Sequence, residues 1–390
     1  MRRHSSTSTC GIRVLHVVRK LNIGGLETAL LDIVAGLRRR EFVQAVCCLE
    51  ERGSLADLLP ADVPVWSCTE GRRGKWHRPE FRAAGVLKRF APQVSHAANC
   101  GAWIDASVAW LLAGMPGRLA FTLHGWDQVQ AMSRRRAMVC RTLARMTTAV
   151  TAVSEETART FASESGIRLN RIGVLPHGID LERFRPDSTR TDDANRVGPV
   201  VFGCVARLDP IKGHKVLLEA VKLLLDRNVA GFEVRVIGDG PMRNDLVSLA
   251  SRLAVDDHVH FLGRVGDITH YYRALDVFVL PSLREGRPLT ILEAMASGLP
   301  VIASRVGSVP GLLGRGEAGL LVEPGDPAQL AEAMACLIRD PELRRRQGRF
   351  ARAKAEKDFS LAEMIDSYSA FYRAIADGCY RPGLYHDTAR

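Results

Sequence analysis

No stretch of this 390-residue chain approaches the roughly 20 consecutive apolar residues that a membrane-spanning helix requires, so any membrane contact is expected to be peripheral. Residues 1–11 are polar and Ser/Thr-rich with no apolar centre, so no secretory signal is expected there. The nine cysteines include no C-x-x-C pair, which removes support for a zinc ribbon or a thioredoxin-like centre. Scattered and odd in number, they read as reduced thiols that serve mostly as small core residues in a cytoplasmic protein. There is no Walker-A sequence and no complete G-x-G-x-x-G. No Asp-x-Asp stands at a strand end, and the Asp192-Asp193 pair reads as solvated loop charge, so no metal site and no cofactor is expected. No short internal repeat or low-complexity tract occurs, and no aromatic-interleaved basic sheet suggests a nucleic-acid binder.

What is present describes a globular enzyme-sized chain. Hydrophobic residues make up 46% and charged residues 25%, and the length suits two domains with a core each. The formal net charge is +11, from 54 Lys+Arg against 43 Asp+Glu, which favours anionic partners such as nucleotides, sugar phosphates or lipid head groups. Short β-branched runs alternate with helical patterns. Strands are expected at 12–18, 42–49, 118–123 and 148–153, and a helix at 26–37. After a polar, proline-bounded segment at 186–199, which reads as a linker, the rhythm restarts with strands at 200–206, 232–237, 258–262, 276–280 and 300–303. Continuous apolar runs separated by helices predict parallel sheets covered on both faces. Two tandem Rossmann-like, doubly wound α/β domains follow, with ligands at the C-terminal ends of their strands. The expected organisation is a disordered arm at 1–11, an N-terminal domain at 12–185, the linker, a C-terminal domain at 200–359, a helix at 360–377 that crosses back, and a tail at 378–390. The last helix carries Tyr368, Phe371 and Tyr372 at i, i+3 and i+4, a spacing that suits packing on a domain better than ligand binding.

Three segments of the second half carry chemistry. In PSLREGRPLTILEAMASG (281–298), a strand ends just before the segment, Pro288 suits a first helical turn, and Gly298 with Pro300 suits the stop. Glu285 then sits in the loop at the helix mouth and Glu293 inside the helix. The first-turn amides near Leu289 and Thr290 are free to face an anion. The two carboxylates suit sugar hydroxyls and a ribose diol, or, equally from spacing alone, a helix-terminal charge and a surface residue. In VVFGCVARLDPIKGHK (200–215), a strand delivers Arg207 to its end and a turn holds Lys212, two cations that suit a diphosphate or merely solvent. In VIGDGP (236–241), Gly238 and Gly240 bracket a tight turn and Pro241 is expected to start a helix. In the first half, Gly24 and Gly25 follow the first strand, where a glycine pair permits close backbone approach. His124 ends the strand at 118–123.

Taken together these pieces resemble the family-4 retaining glycosyltransferases of GT-B fold, from about residue 12 to residue 372. The resemblance rests on GGLE (24–27), TLHGWD (122–127), AVSE (152–155), PHGID (176–180), ARLDPIKG (206–213), VIGDGP, FLGRV (261–265) and the E-x7-E array from Glu285 to Glu293. It implies a ligand cleft between the domains and a nucleotide-diphosphate sugar as donor. Arg207 and Lys212 match the cations on the donor diphosphate, Glu293 the carboxylate on the ribose, and Glu285 the residue facing the donor sugar. Pro288, Leu289 and Thr290 fall at the backbone contacts to phosphate, and Gly263 and Arg264 at the base-binding stretch. Gly24 and Gly25 match the loop that closes on the diphosphate, and His124 the residue near the reacting sugar. Arg287-Pro288 stands where many relatives carry an aromatic and Gly, and His177 where Asn is common; Arg287 thereby bears on the choice of donor sugar. The resemblance implies metal-independent transfer with retention, the leaving phosphate serving as base. A nucleotide-sugar 2-epimerase of the same fold and a non-catalytic nucleotide-sugar-binding protein are the alternatives. The opening HVVRKLNIGGLETALLDI is most similar to transferases of bacterial exopolysaccharide assembly, which implies a glycan or polyprenyl-diphosphate-linked acceptor.

The segment MSRRRAMVCRTLARM (132–146) carries five arginines and no acid. It is expected to form a basic amphipathic helix, and with the basic loop at 71–78 it suits an anionic membrane surface at the inner face of the cytoplasmic membrane. A solvated helix face packed on the domain is the other reading.

Overall fold

A computed structural model describes residues 11–69, 78–126, 129–187 and 198–382. The arm at 1–10, most of the basic loop at 71–78, Asp127, the Asp192-Asp193 pair with most of the linker, and the end of the tail lie outside the described residues.

The chain forms two parallel sheets. The first has strands β1 (Ile12–Val18), β2 (Phe42–Cys48), β3 (Val65–Ser67), β4 (Val94–Ala98), β5 (Arg118–Leu123), β6 (Ala149–Ala152) and β7 (Ile172–Val174), in the order β3-β2-β1-β4-β5-β6-β7. The second has β8 (Val200–Val205), β9 (Phe232–Ile237), β10 (Val259–Gly263), β11 (Val277–Leu280), β12 (Val301–Ser304) and β13 (Gly319–Val322), in the order β10-β9-β8-β11-β12-β13. All pairings are parallel; Val14 faces Val94 across the centre of the first sheet and Phe278 faces Gly203 across that of the second. Strand order reverses between β1 and β4 and again between β8 and β11. Those two switch points open crevices at the C-terminal ends of the strands, where doubly wound folds hold ligands. The fold is thus the expected pair of Rossmann-like domains.

The strands at 12–18, 118–123 and 232–237 lie where the sequence predicts them, and the other expected strands shift by one or two residues. Strands β3, β4 and β13 are not anticipated. The reason is clearest in β4, VSHAA, whose Ser95 and His96 break the apolar run although both are buried. His96 is affordable there because both ring nitrogens are bonded, Nδ1 with Tyr372 Oη at 2.7 Å and Nε2 with Thr122 Oγ1 at 2.7 Å. Thr122 in turn bonds Thr151 at 2.6 Å, and Thr151 donates to the Phe121 carbonyl at 2.9 Å. Each hydroxyl has one proton, so the directions follow: Thr122 donates to Thr151, His96 Nε2–H donates to Thr122, and Tyr372 donates to His96 Nδ1.

Tyr372 belongs to the last helix, Leu361–Ala376, which lies on the first sheet. Its buried Met364, Ile365, Tyr368, Phe371 and Ile375 form one cluster with Val14, Ile33, Val94, Ala120 and Leu175. The chain crosses between the domains at Ile179, whose amide donates to the Phe359 carbonyl at 2.8 Å and whose carbonyl accepts from Leu361 at 3.1 Å. The first sheet's other face is filled around Trp103, which stacks on Phe121 with 4.1 Å between ring centroids.

Candidate active site

The crevice between β8 and β11 gathers most of the residues singled out in the second half. After β8 the chain turns through Pro210–Lys212 and reaches Gly213, with φ at +69°. A Cβ at Gly213 would lie 1.9 Å from the Pro281 carbonyl oxygen, so only glycine lets this turn press against the loop after β11. That approach carries Lys212 to Glu285, whose Oε1 accepts from Lys212 Nζ at 2.6 Å and from Ser282 Oγ at 2.7 Å. Glu285 is 7% exposed, so the pair is largely out of water. Arg207, by contrast, is open to solvent at the end of β8 and pairs with Asp209 at 2.9 Å.

The helix after this loop runs Leu289–Ala296 with Pro288 as its N-cap, one position earlier than a first-turn proline. Across the interdomain gap stands a second helix start. Gly24 caps the helix Gly25–Leu37, and a Cβ on Gly25 would be 3.8 Å from the Leu289 side chain. Neither Gly24 nor Pro288 offers a side chain that can accept from first-turn amides, so two helix N-termini meet at one place, the first with the Glu27 carboxylate folded back against Gly24. An anion is the natural occupant of such a gap.

Glu293 is buried on the second turn, where Tyr272 Oη donates to its Oε2 at 2.6 Å. Burial pushes its carboxyl up to about 7, with Tyr272 and the Arg183 charge pulling it down and Asp32 of the first domain pushing it further up. Burial likewise raises Asp32 to about 6, against the pull of Arg183. Two carboxylates from opposite domains therefore share one electrostatic environment around Arg183.

On the first domain, the His124 amide is held by Asn99 Oδ1 at 2.9 Å, and its ring Nδ1 bonds His177 Nε2 at 2.9 Å. Desolvation drives His124 down to about 3 and His177 well below its ordinary value, so both rings are neutral near pH 7. The two domains touch here. A Cβ on Gly286 would lie 2.3 Å from the His124 carbonyl oxygen, so the missing side chain at 286 is what lets Glu285 and His124 approach. Arg287 stacks its guanidinium 5.0 Å from the Phe359 ring, and its charge adds to the forces keeping His177 neutral.

Gly263 and Arg264 lie at the end of β10, two strands from β8, with Gly263 at φ +70° and Arg264 near Asp239 at 3.5 Å. The glycines of VIGDGP serve packing: Gly240 lies against the Leu208 backbone, and the Gly238 amide donates to the Gly263 carbonyl at 2.9 Å. The following helix starts at Arg243, not at Pro241. Sequence reasoning missed Ser282, Tyr272, Asp32, Asn99 and Arg183. Of these only Ser282 carried a local signal, three residues before Glu285; the rest come from elements distant in sequence.

Known proteins of this architecture match most of the chain. The family described as Glycosyltransferase Family 4 matches residues 23–183, and that described as Glycosyl transferases group 1 matches residues 187–354. The UDP-Gal:alpha-D-GlcNAc-diphosphoundecaprenol alpha-1,3-galactosyltransferase of Escherichia coli is 27% identical over 93% of this chain and 96% of its own length. The putative glycosyltransferase EpsF of Bacillus subtilis is 33% identical over 75% of this chain and 79% of its own. Anabaena HepE, solved with UDP-glucose, superposes with a TM-score of 0.80 at 23% identity, covering 93% of this chain and all of HepE.

Proposed function

This chain belongs to the family-4 glycosyltransferases, and from that premise we propose that it transfers a sugar, with retention, from a nucleoside-diphosphate sugar to a glycan or polyprenyl-diphosphate-linked acceptor. The observation that carries the donor assignment is the meeting of two helix N-termini, at Gly25 and Leu289, in the cleft that also receives Lys212 beside Glu285. In this reading the diphosphate lies between those ends, held by the amides near Leu289 and Thr290, by Lys212 and by Arg207. Glu293 takes the ribose diol, Gly263 and Arg264 take the base, and Glu285 and His124 face the sugar.

The chemistry follows from charge. As the bond from the anomeric carbon to the diphosphate breaks, negative charge grows on the leaving oxygen. Fixed cations and aligned amides stabilise that charge without reorganising. The acceptor hydroxyl attacks from the same face and its proton passes to a leaving phosphate oxygen. Neutral His124 is assigned to positioning, and no protein nucleophile is required. No metal enters this scheme, so activity should survive excess EDTA; loss restored by manganese would overturn that part.

The identity of the acceptor is supported by the E. coli relative, whose own substrate is diphosphoundecaprenol-linked. A location at the inner face of the cytoplasmic membrane is supported by the helix Arg134–Met146, which buries only Ala137, Cys140 and Ala144. Its first turn carries three arginines, the sign that the helix dipole disfavours there, while Met138, Val139 and Met146 stay exposed. Co-sedimentation with anionic liposomes, lost at high salt or on changing Arg134, Arg135 and Arg136 to Gln, is the expected result; equal binding to neutral liposomes would exclude this anchor.

The central test is a panel of UDP-, GDP-, ADP- and dTDP-sugars scored by thermal shift, followed by turnover of the stabilising donor with Arg207→Ala. Removing one such fixed charge should cost on the order of 10²–10³ in rate. Wild-type turnover in the variant would remove Arg207 from the site, and sugar interconversion without acceptor would identify a 2-epimerase instead.

A further inference from the structure

We propose that Arg284 is a positioning residue, an interdomain clasp that sets the distance between the loop bearing Glu285 and the segment bearing His124. The inference rests on the assignment of those two residues to the donor sugar. Arg284 precedes Glu285 directly, yet its side chain is spent entirely on the other domain. Nη1 donates to the Gln130 carbonyl at 2.8 Å, Nη2 pairs with the Glu164 carboxylate, and the guanidinium carbon lies 4.2 Å from the centroid of the Trp126 ring. The second oxygen of Glu164 accepts from the Met132 amide at 3.3 Å. Trp126, Gln130 and Met132 all follow β5, within eight residues of His124.

The burial of the pair separates it from an ordinary surface ion pair. Arg284 is 12% exposed and Glu164 14%, whereas exposed pairs contribute little. A guanidinium is a rigid planar fork, and here its plane is set by an aromatic face below and two acceptors at its edge. Lysine could supply the charge but not that geometry. Three consecutive residues then have fixed partners. Arg284 engages Trp126, Gln130 and Glu164; Glu285 engages Lys212; Gly286 abuts the His124 carbonyl. The loop after β11 is keyed alternately to the first domain, the second and the first again. Opening the cleft requires the clasp to break, so its strength sets how much of the protein is closed before a donor arrives.

The experiment uses the full chain with Arg284→Gln and Glu164→Gln, read by small-angle scattering and by titration with UDP. Both variants should show a larger radius of gyration than wild type without ligand. UDP affinity should fall by a similar factor in both variants, because the diphosphate lies between helix ends of the two domains and both variants disfavour closure, while turnover falls further, on the order of tenfold to a hundredfold, the scale of a displaced reacting group. Arg284→Lys, which keeps the charge and the fold, should fall between. Unchanged scattering and turnover in both neutral variants would overturn the clasp. A loss of UDP affinity larger than the loss of turnover, confined to Arg284→Gln, would overturn it in favour of a donor ligand. If wild type itself fails to bind UDP, the choice of nucleotide is wrong, and ligand-free scattering still decides on the clasp.

Discussion

Glu285 and Lys212 answer for each other's charge, and this changes what substitution at either one reports. Lys212→Ala would leave a carboxylate with 7% exposure beside no cation, and breaking a buried pair in this way typically costs about 3–5 kcal/mol. Loss of activity in that variant is therefore confounded with loss of fold, while exposed Arg207 makes the cleaner probe. Glu293 offers a second residue-level test. Burial pushes its carboxyl up to about 7, and ribose hydroxyls donate to the ionised form, so binding should lower that value and release a proton. Affinity for the donor should then rise as pH rises toward about 7 and level off above it, by up to roughly tenfold for each unit that binding lowers the pKa. UDP-glucose suits the titration because its own phosphates are already ionised. Glu293→Gln should bind more weakly with a flat profile, and a slope that survives in the variant would assign the proton elsewhere. That Glu293 lies in the helix was legible from E-x7-E. Its burial and its neighbours Tyr272, Asp32 and Arg183 were not, because they arrive from three other elements.

Helices and loops show a similar division. Apolar runs marked most strands, and Gly298 with Pro300 marked a helix stop, since these signals are local. Strand β4 escaped because its buried His96 is satisfied by partners on β5 and on the last helix, which no window around residues 94–98 contains. Glycines told where turns fall but not which backbone they admit. Gly286 is the instructive example. Its alanine variant should hold its own domain's fold yet wedge Glu285 away from His124, because the added methyl would meet the His124 carbonyl at 2.3 Å. We expect turnover to fall by about tenfold or more while the melting temperature moves little. A wild-type rate in Gly286→Ala would mean that the cleft tolerates a wider separation than the one observed.

At the scale of the whole molecule, buried histidines divide the domains. Burial holds His16 at about 4, His124 at about 3, and His96 and His177 well below their ordinary value, and all four lie in the first domain or the segment leading out of it. In the second domain only His214, at about 4, is comparable among the described residues. Unfolded histidine titrates near 6.5, so between there and about 4 the unfolded chain binds more protons and stability falls as pH falls. Asp32 and Glu293 act in the opposite sense, gaining protons in the folded state below about 6 and 7, and so does Asp105, which burial also raises, but they are three against five. Acid should therefore unfold the first domain ahead of the second. All five tryptophans lie before residue 127, so their fluorescence reports that domain alone. It should change at higher pH than the far-ultraviolet dichroism of the whole chain; coincident transitions would show the domains unfolding as one unit.

The crossing of the last helix onto the first sheet has a consequence for synthesis. The ribosome releases all seven strands of that sheet before it reaches β8, yet the surface around Val14, Val94 and Ala120 is covered only in part, by Ile33 and Leu37, until residues 361–376 emerge. The first domain to be made is thus the last to be completed. For the time it takes to translate the whole second domain, roughly ten seconds or more at common elongation rates, the nascent chain carries a half-covered apolar face whose aromatic partner helix has not yet been polymerised.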